Sequence, residues 1–271
     1  MTPGAGSREP VFNLPRVVLA TILLLVAVHA LRVLALPEDT DIELLIDLAV
    51  VPARWSVALG NATPEEVLRP FVGEEAGARQ QIMETLARYV LEGGPRPWTA
   101  LTYAGLHGSW THVLLNSVWL AAFGTPVARR CGAGRFLVFA AASAVGGAVA
   151  HALTHPLDVG PMVGASAAVS GMMAAAAWFM FARPSWTLEG RLAEPHERRR
   201  ESLASMVRNR SVLLFVGVWF ATNYLFASVA QPLGLTDASI AWEAHVGGFL
   251  VGLALFPLLD PLQRLPLRRL S

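Results

Sequence analysis

The sequence predicts an all-α polytopic membrane protein with six transmembrane helices and both termini in the cytoplasm. Three observations carry that expectation. The 271-residue chain is 54% hydrophobic and only 15% charged, against about 25% charged residues in a soluble domain. Its apolar residues gather into six segments. Its arginines fall on alternate connections between those segments, as expected of a cytoplasmic face.

The first segment, 17–36, reads VVLATILLLVAVHALRVLAL. Its 20 residues are enough for a hydrocarbon core of about 30 Å at about 1.5 Å per residue. It has no good signal-peptide cleavage site and more apolar segments follow, so it is expected to remain as a helix. The next segments are 110–123, 136–153, 166–181, 212–230 and 242–259. Several are short and two begin with polar residues. Such ends are tolerated where they face protein or a water-filled cavity.

Of the 21 basic residues, all arginine, 15 lie on one side of this arrangement. They sit in the arm 1–16, the second-to-third connection (Arg129, Arg130, Arg135), the fourth-to-fifth connection and the tail 260–271. The short connections 154–164 and 231–241 contain none. The economical organisation is a cytoplasmic arm 1–16, one membrane domain 17–259 and a cytoplasmic tail 260–271. An all-arginine chain suggests GC-rich coding, and no transit peptide is recognised, so the membrane is expected to be a bacterial cytoplasmic (inner) membrane.

The long first loop, about 37–109, is the soluble-looking region, with 11 acids and five arginines up to Trp98. Helices are expected at 64–69 and 80–91, the first with Thr63 as N-cap and Pro64 at N1. Gly93, Gly94, Pro95 and Pro97 then break the pattern. Trp55, Trp98 and Trp110 are expected near the membrane interface.

Composition also excludes chemistry. A net charge of +1 argues against a nucleic-acid partner. With no lysine in the chain, a Schiff base, a lysine general base and a P-loop are ruled out. The single cysteine, Cys131, excludes an intrachain disulfide and a cysteine-rich zinc site. His151 and His155 have the i, i+4 spacing of metal ligands, but no third ligand is apparent. No metal and no cofactor are expected.

Ionisable or nucleophilic residues inside a span are functional candidates. His112 and Asn116 share one face of the second span. Ser166 opens the fourth, in VGASAAVSG, and His245 lies near the start of the sixth, in WEAHVGGFLVG. The alternating topology puts all three helix ends on the same, outer side. A serine hydroxyl becomes a nucleophile when a base takes its proton, and histidine is the usual base. Asn and His side chains can hold an oxyanion together with free N–H groups at a helix start. Glu243 is two residues from His245 and on another face, so a Ser–His dyad is expected rather than a triad. Taken singly, Ser166 could be a helix cap and His245 a packing residue; the ordered set is what points to hydrolysis. Gly164 precedes Ser166, and Gly248 and Gly252 share a face with His245. These small residues permit close approach of the fourth and sixth helices.

The pattern H-x-x-x-N, then G-x-S, then A-H-x-x-G-x-x-x-G resembles the rhomboid intramembrane serine proteases over about residues 98–259. The resemblance implies Ser166 as nucleophile, His245 as general base, and His112 and Asn116 as oxyanion-hole donors. It implies single-pass membrane proteins as substrates, cut through an acyl-enzyme within the lipid bilayer. The family often has Gly after the serine, where Ala167 stands here, and an aromatic one turn on, where Ser170 stands. Trp242 or Trp178 is expected to support the His245 ring instead. A non-catalytic relative that binds membrane helices is the alternative, and a transporter is disfavoured because no internal repeat is found.

Overall fold

The computed structural model describes residues 13–72, 77–187, 189–229 and 241–264. Residues 1–12 of the expected arm, 265–271 of the expected tail and nearly all of the 231–241 connection lie outside the described residues. Among the described residues all regular structure is helical. Pairing of β type is confined to two isolated bridges, Val50 with Met162 and Trp186 with Leu192.

Helix α1 (Arg16–Ala35) is the first apolar segment. Leu23, Leu24, Leu31 and Leu34 point outward along it, an arrangement that suits lipid rather than water. The first loop then folds into α2 (Glu38–Leu48), α3 (Pro52–Ala58), α4 (Pro64–Leu68), α5 (Ala78–Glu92) and α6 (Thr99–Thr102), followed by a 3-10 turn at Tyr103–Gly105. Helices α4 and α5 fall where the sequence expects them. Thr63 caps α4 in a capping box: Thr63 Oγ1 accepts the Glu66 N–H and the Glu66 carboxylate accepts the Thr63 N–H. Arg32 lies at the end of α1 where arginine is otherwise scarce. It is buried, pairs with Asp41 at 2.7 Å and donates to the His107 carbonyl. It thereby ties the loop to α1.

Helix α7 (Trp110–Trp119) starts from Ser109, whose Oγ accepts the His112 N–H. The sequence expects this segment to stop at Phe123, and it does not. A π-helical turn, Leu120–Gly124, leads into α8 (Thr125–Thr154). Pro126 explains the wide turn. Its ring lacks an N–H and would clash with the carbonyl four residues back, and a local π geometry relieves both faults. The real break is Gly132, with φ 79, a conformation that glycine adopts without penalty. Arg129 and Arg130 therefore belong to the helix and not to a connection.

Helices α9 (Ser166–Met180), α10 (Leu203–Met206), α11 (Arg210–Val229) and α12 (Trp242–Leu259) complete the chain. Contacts at the two ends of α12 give the direction of its neighbours. Its first turn lies against Gly147 and its C-cap residue Asp260 pairs with Arg130. His112, earlier in the same stretch, lies beside Gly164 at the Ser166 end, so the chain runs from that end to Arg130 at the other and back to Gly147, reversing at Gly132. Asn209 joins the start of α11 to the end of α9 through its bond to the Phe181 carbonyl. Among the described residues, the apolar segments of the bundle are α1, 110–131, 133–154, α9, α11 and α12. Among the described residues three stretches, Arg16–Ala35, Trp110–Thr154 and Trp242–Leu259, are long and apolar enough to cross a membrane; α9 and Arg210–Leu225 are shorter apolar helices.

Helix α9 is the centre of the bundle and is buried over most of its length. Helix α12 packs against both α9 and the 133–154 segment, which also touch each other where Ala167 meets Gly147 and Ser143 meets Gly171. A Cβ at Gly248 would overlap the Ala167 main chain, one at Gly252 the Gly171 main chain, and one at Gly247 the Gly146 main chain. Lipid supplies no hydrophobic drive between helices, so this close backbone contact is what attracts them.

At the end opposite Ser166, Arg130 and Asp260 form a two-pronged ion pair, at 3.0 and 2.8 Å, with both side chains fully buried. Arg130 also donates to the carbonyls of His196 and Arg198 and lies over the Phe179 ring. Arg198 donates to the Met180 and Ala182 carbonyls at the end of α9, and Arg200 lies over Trp178. The sequence marks these arginines as topology signals; in the fold they also close the helix ends.

Candidate active site

Four of the six segments bring polar groups to one end of the bundle. Ser166 is the first residue of α9. The chain reaches it through Gly164, at φ 124, where a side chain would be strained and would also collide with the His112 ring. The Gly164 N–H donates to the Tyr103 carbonyl at 3.0 Å. Tyr103 OH in turn donates to the Ala144 carbonyl at 2.8 Å. The 3-10 turn of the first loop thus sets the approach to the serine.

Ser166 Oγ lies 2.7 Å from His245 Nε2. The other ring nitrogen, Nδ1, meets Asn223 Oδ1 from α11 in a short hydrogen bond. The direction of this chain of bonds follows from its far end. Asn223 Nδ2 donates to the Trp219 carbonyl at 2.8 Å, so Oδ1 is the atom that faces His245. An amide oxygen only accepts, so Nδ1 carries the hydrogen. Nε2 then has a free lone pair and accepts from the serine hydroxyl. This is the tautomer a general base requires.

Asn223 is the residue that reading the sequence missed. The signal was an amide inside an apolar run, WFATNYLF, where polar side chains are costly. The tryptophans expected to support His245 do other work. Trp178 donates to the Leu253 carbonyl and stacks near Phe256, and Trp242 packs edge-on against Tyr224. Ser170, in the family's aromatic position, turns its hydroxyl back to the Ser166 carbonyl at 2.8 Å.

His112 and Asn116 share a face of α7 and converge on Gly164. A Cβ built there would lie 2.7 Å from His112 Nε2 and 3.8 Å from Asn116 Nδ2. Asn116 is buried and donates to the His112 carbonyl at 3.2 Å. His107, in the loop before α7, packs edge-on against the His112 ring with centroids 4.9 Å apart. Burial, with His112, His29 and Arg32 nearby, pushes His107 down to about 3, so it packs as a neutral ring. Gly248 and Gly252 seat α12 on α9 one and two turns beyond His245. Glu243 does not contribute to the Ser166–His245 pair. It faces His155, with its Oε1 3.8 Å from Nε2.

An activated hydroxyl, a neutral imidazole and two donors beside a helix start can carry out acyl transfer. The fold and site together define a helical membrane protein with a serine–histidine pair at one end of its bundle. The family model of the Rhomboid domain matches residues 95–260, more than half of the chain, and the chain belongs to the rhomboid family. The rhomboid protease GlpG of Pectobacterium atrosepticum is 31% identical over 156 residues, 58% of this chain and 46% of that protein. The rhomboid protease GlpG of Enterobacter sp. is 30% identical over 159 residues, 58% of this chain and 47% of that protein. The chain spans about half the length of these curated relatives.

Proposed function

We propose that the chain is an intramembrane serine endopeptidase. The observation that carries this reading is the 2.7 Å contact of Ser166 Oγ with His245 Nε2 at one end of an apolar helical bundle. In the reaction, His245 Nε2 takes the hydroxyl proton while Oγ attacks the carbonyl carbon of a substrate peptide bond. The oxyanion formed is met by the Ser166 N–H and by the His112 and Asn116 side chains. The C–N bond then breaks, the imidazolium gives its proton to the departing amine, and an ester on Ser166 remains. Water, deprotonated by His245, releases the acyl group and restores the serine.

Asn223 is the positioning residue: it accepts the Nδ1–H and holds the imidazole in one tautomer. A carboxylate in that place would put a charge in a membrane interior, where it is expensive; a neutral amide orients the ring without one. The helix α9 has 15 residues, about 22 Å by its rise, against a core of about 30 Å. Ser166 then lies below the membrane surface, in a cavity that admits water. All six alternating segments cross the bilayer in this reading, with the site toward the outer face and both termini in the cytoplasm of a bacterial inner membrane. The arginine distribution supports that orientation. Substrates are single-pass membrane proteins whose helix unwinds at small residues, because a helical peptide bond is hidden from the nucleophile.

Cleavage of a single-pass reporter in detergent micelles tests the reading. Wild type cuts, and Ser166→Ala and His245→Ala fall below about a thousandth of its rate. Wild-type rates in both variants would sink the mechanism. Folded wild type that neither cuts nor takes up a fluorophosphonate at Ser166 would be a helix-binding protein instead.

A further inference from the structure

His151 and His155 stand one turn apart at the end of the 133–154 segment, their ring centroids 4.9 Å apart. The third ligand that sequence spacing could not supply comes from another helix. Glu243, in the first turn of α12, brings its Oε1 to 3.8 Å from His155 Nε2. One donor atom from each of the three residues lies within 4.8 Å of the other two.

The state of His155 follows from its neighbour. Thr154 Oγ1 lies 2.9 Å from the Ala150 carbonyl and 3.1 Å from that of His151. Its single proton is used there. Its remaining contact, at 3.0 Å to His155 Nδ1, must be donated by the ring. Nδ1 therefore carries the hydrogen, and the Nε2 lone pair is left on the Glu243 side. Metal-binding histidines are typically held this way, with the second nitrogen donating to a neighbouring oxygen. His151 is buried, and its Nδ1 has no hydrogen-bond partner among the described residues.

We propose that His151, His155 and Glu243 form a site for a divalent transition metal, zinc by preference. Two imidazoles and one carboxylate suit Zn²⁺, with water in the fourth position; calcium and magnesium want more oxygen ligands. The His155 side chain is 42% exposed and that of Glu243 16%, which gives the ion a path from solvent and the side chains room to turn. Bonding distances of about 2.0–2.2 Å require the three donors to draw in around the ion. The bound ion joins the end of the 133–154 segment to the first turn of α12, two residues before His245. The site stands apart from the Ser166–His245 pair, whether or not that pair hydrolyses peptides.

The test uses full-length protein without a polyhistidine tag, in detergent and stripped with chelator. One equivalent of Co²⁺ is expected to give visible ligand-field absorption that Zn²⁺ removes, and Zn²⁺ to raise the thermal unfolding midpoint. His155→Ala and Glu243→Gln, each checked for helix content, should bind at least about 100-fold more weakly and lose the midpoint shift. Absence of both signals in wild type would overturn the proposal. So would binding in both variants as tight as in wild type, which would put the ion elsewhere.

Discussion

At the scale of single residues, Asn223 decides which tautomer His245 adopts. Its Nδ2 is committed to the Trp219 carbonyl and its Oδ1 to the ring. Replacing it with alanine leaves Nδ1 without an acceptor and lets the imidazole turn. Asn223→Ala is expected to lower kcat about 100-fold with little change in KM, at an unaltered unfolding temperature. Asn223→Asp restores an acceptor and should recover part of the rate with a shifted pH profile, because a charged partner favours the imidazolium. A wild-type kcat in Asn223→Ala would remove the residue from the mechanism. Ser166, His245, His112 and Asn116 were legible in the sequence because each is a polar residue that apolar surroundings make conspicuous. Asn223 carries the same signal, but no spacing along the chain connects it to a residue 22 positions away on the next helix, so its partner could not be read.

At the scale of elements, glycine determines how closely α12 approaches α9. The main-chain atoms of Ala167 occupy the space a side chain at Gly248 would need. Backbone cannot turn aside as a flexible side chain can. Gly248→Ala should force the helices apart, separate His245 from Ser166 and cost about 1–3 kcal/mol of stability. Gly217→Ala on α11 is the control: a Cβ there meets nothing within 4 Å, and alanine is the better helix former by about 1 kcal/mol. Loss of activity in both variants, or in neither, would count against close packing as the cause. Helix boundaries were largely readable from apolar runs. The second segment was not, since Pro126 and the nearby arginines read as a turn, whereas a π turn carries the helix on to Gly132.

At the scale of the molecule, the bundle is held at both ends by different means. The site end uses hydrogen bonds among the neutral groups around Ser166, with the first loop tied to α1 through Arg32 and Asp41. The opposite end buries Arg130 against Asp260, linking the 110–131 segment, the end of α12 and the carbonyls of His196 and Arg198. Removing one partner leaves the other charge buried without compensation, so Arg130→Met should cost about 3–5 kcal/mol. Arg130→Met combined with Asp260→Leu should recover much of that, as seen by thermal unfolding in detergent. A single variant as stable as wild type would show that the pair carries no weight.

Composition and patterning along the chain are enough to give the class of protein, its apolar segments and the polar residues set among them. Those depend on local composition and on the cost of polar groups in lipid, both of which are written along the chain. Which groups meet depends on packing: Asn223 with His245, Arg130 with Asp260, and Glu243 with His155. Glu243 shows the reason. Two residues from His245, it lies on another face of its helix and meets His155. What that face meets depends on how a separate helix packs against it, and such long-range contacts are not encoded in the spacing of either segment.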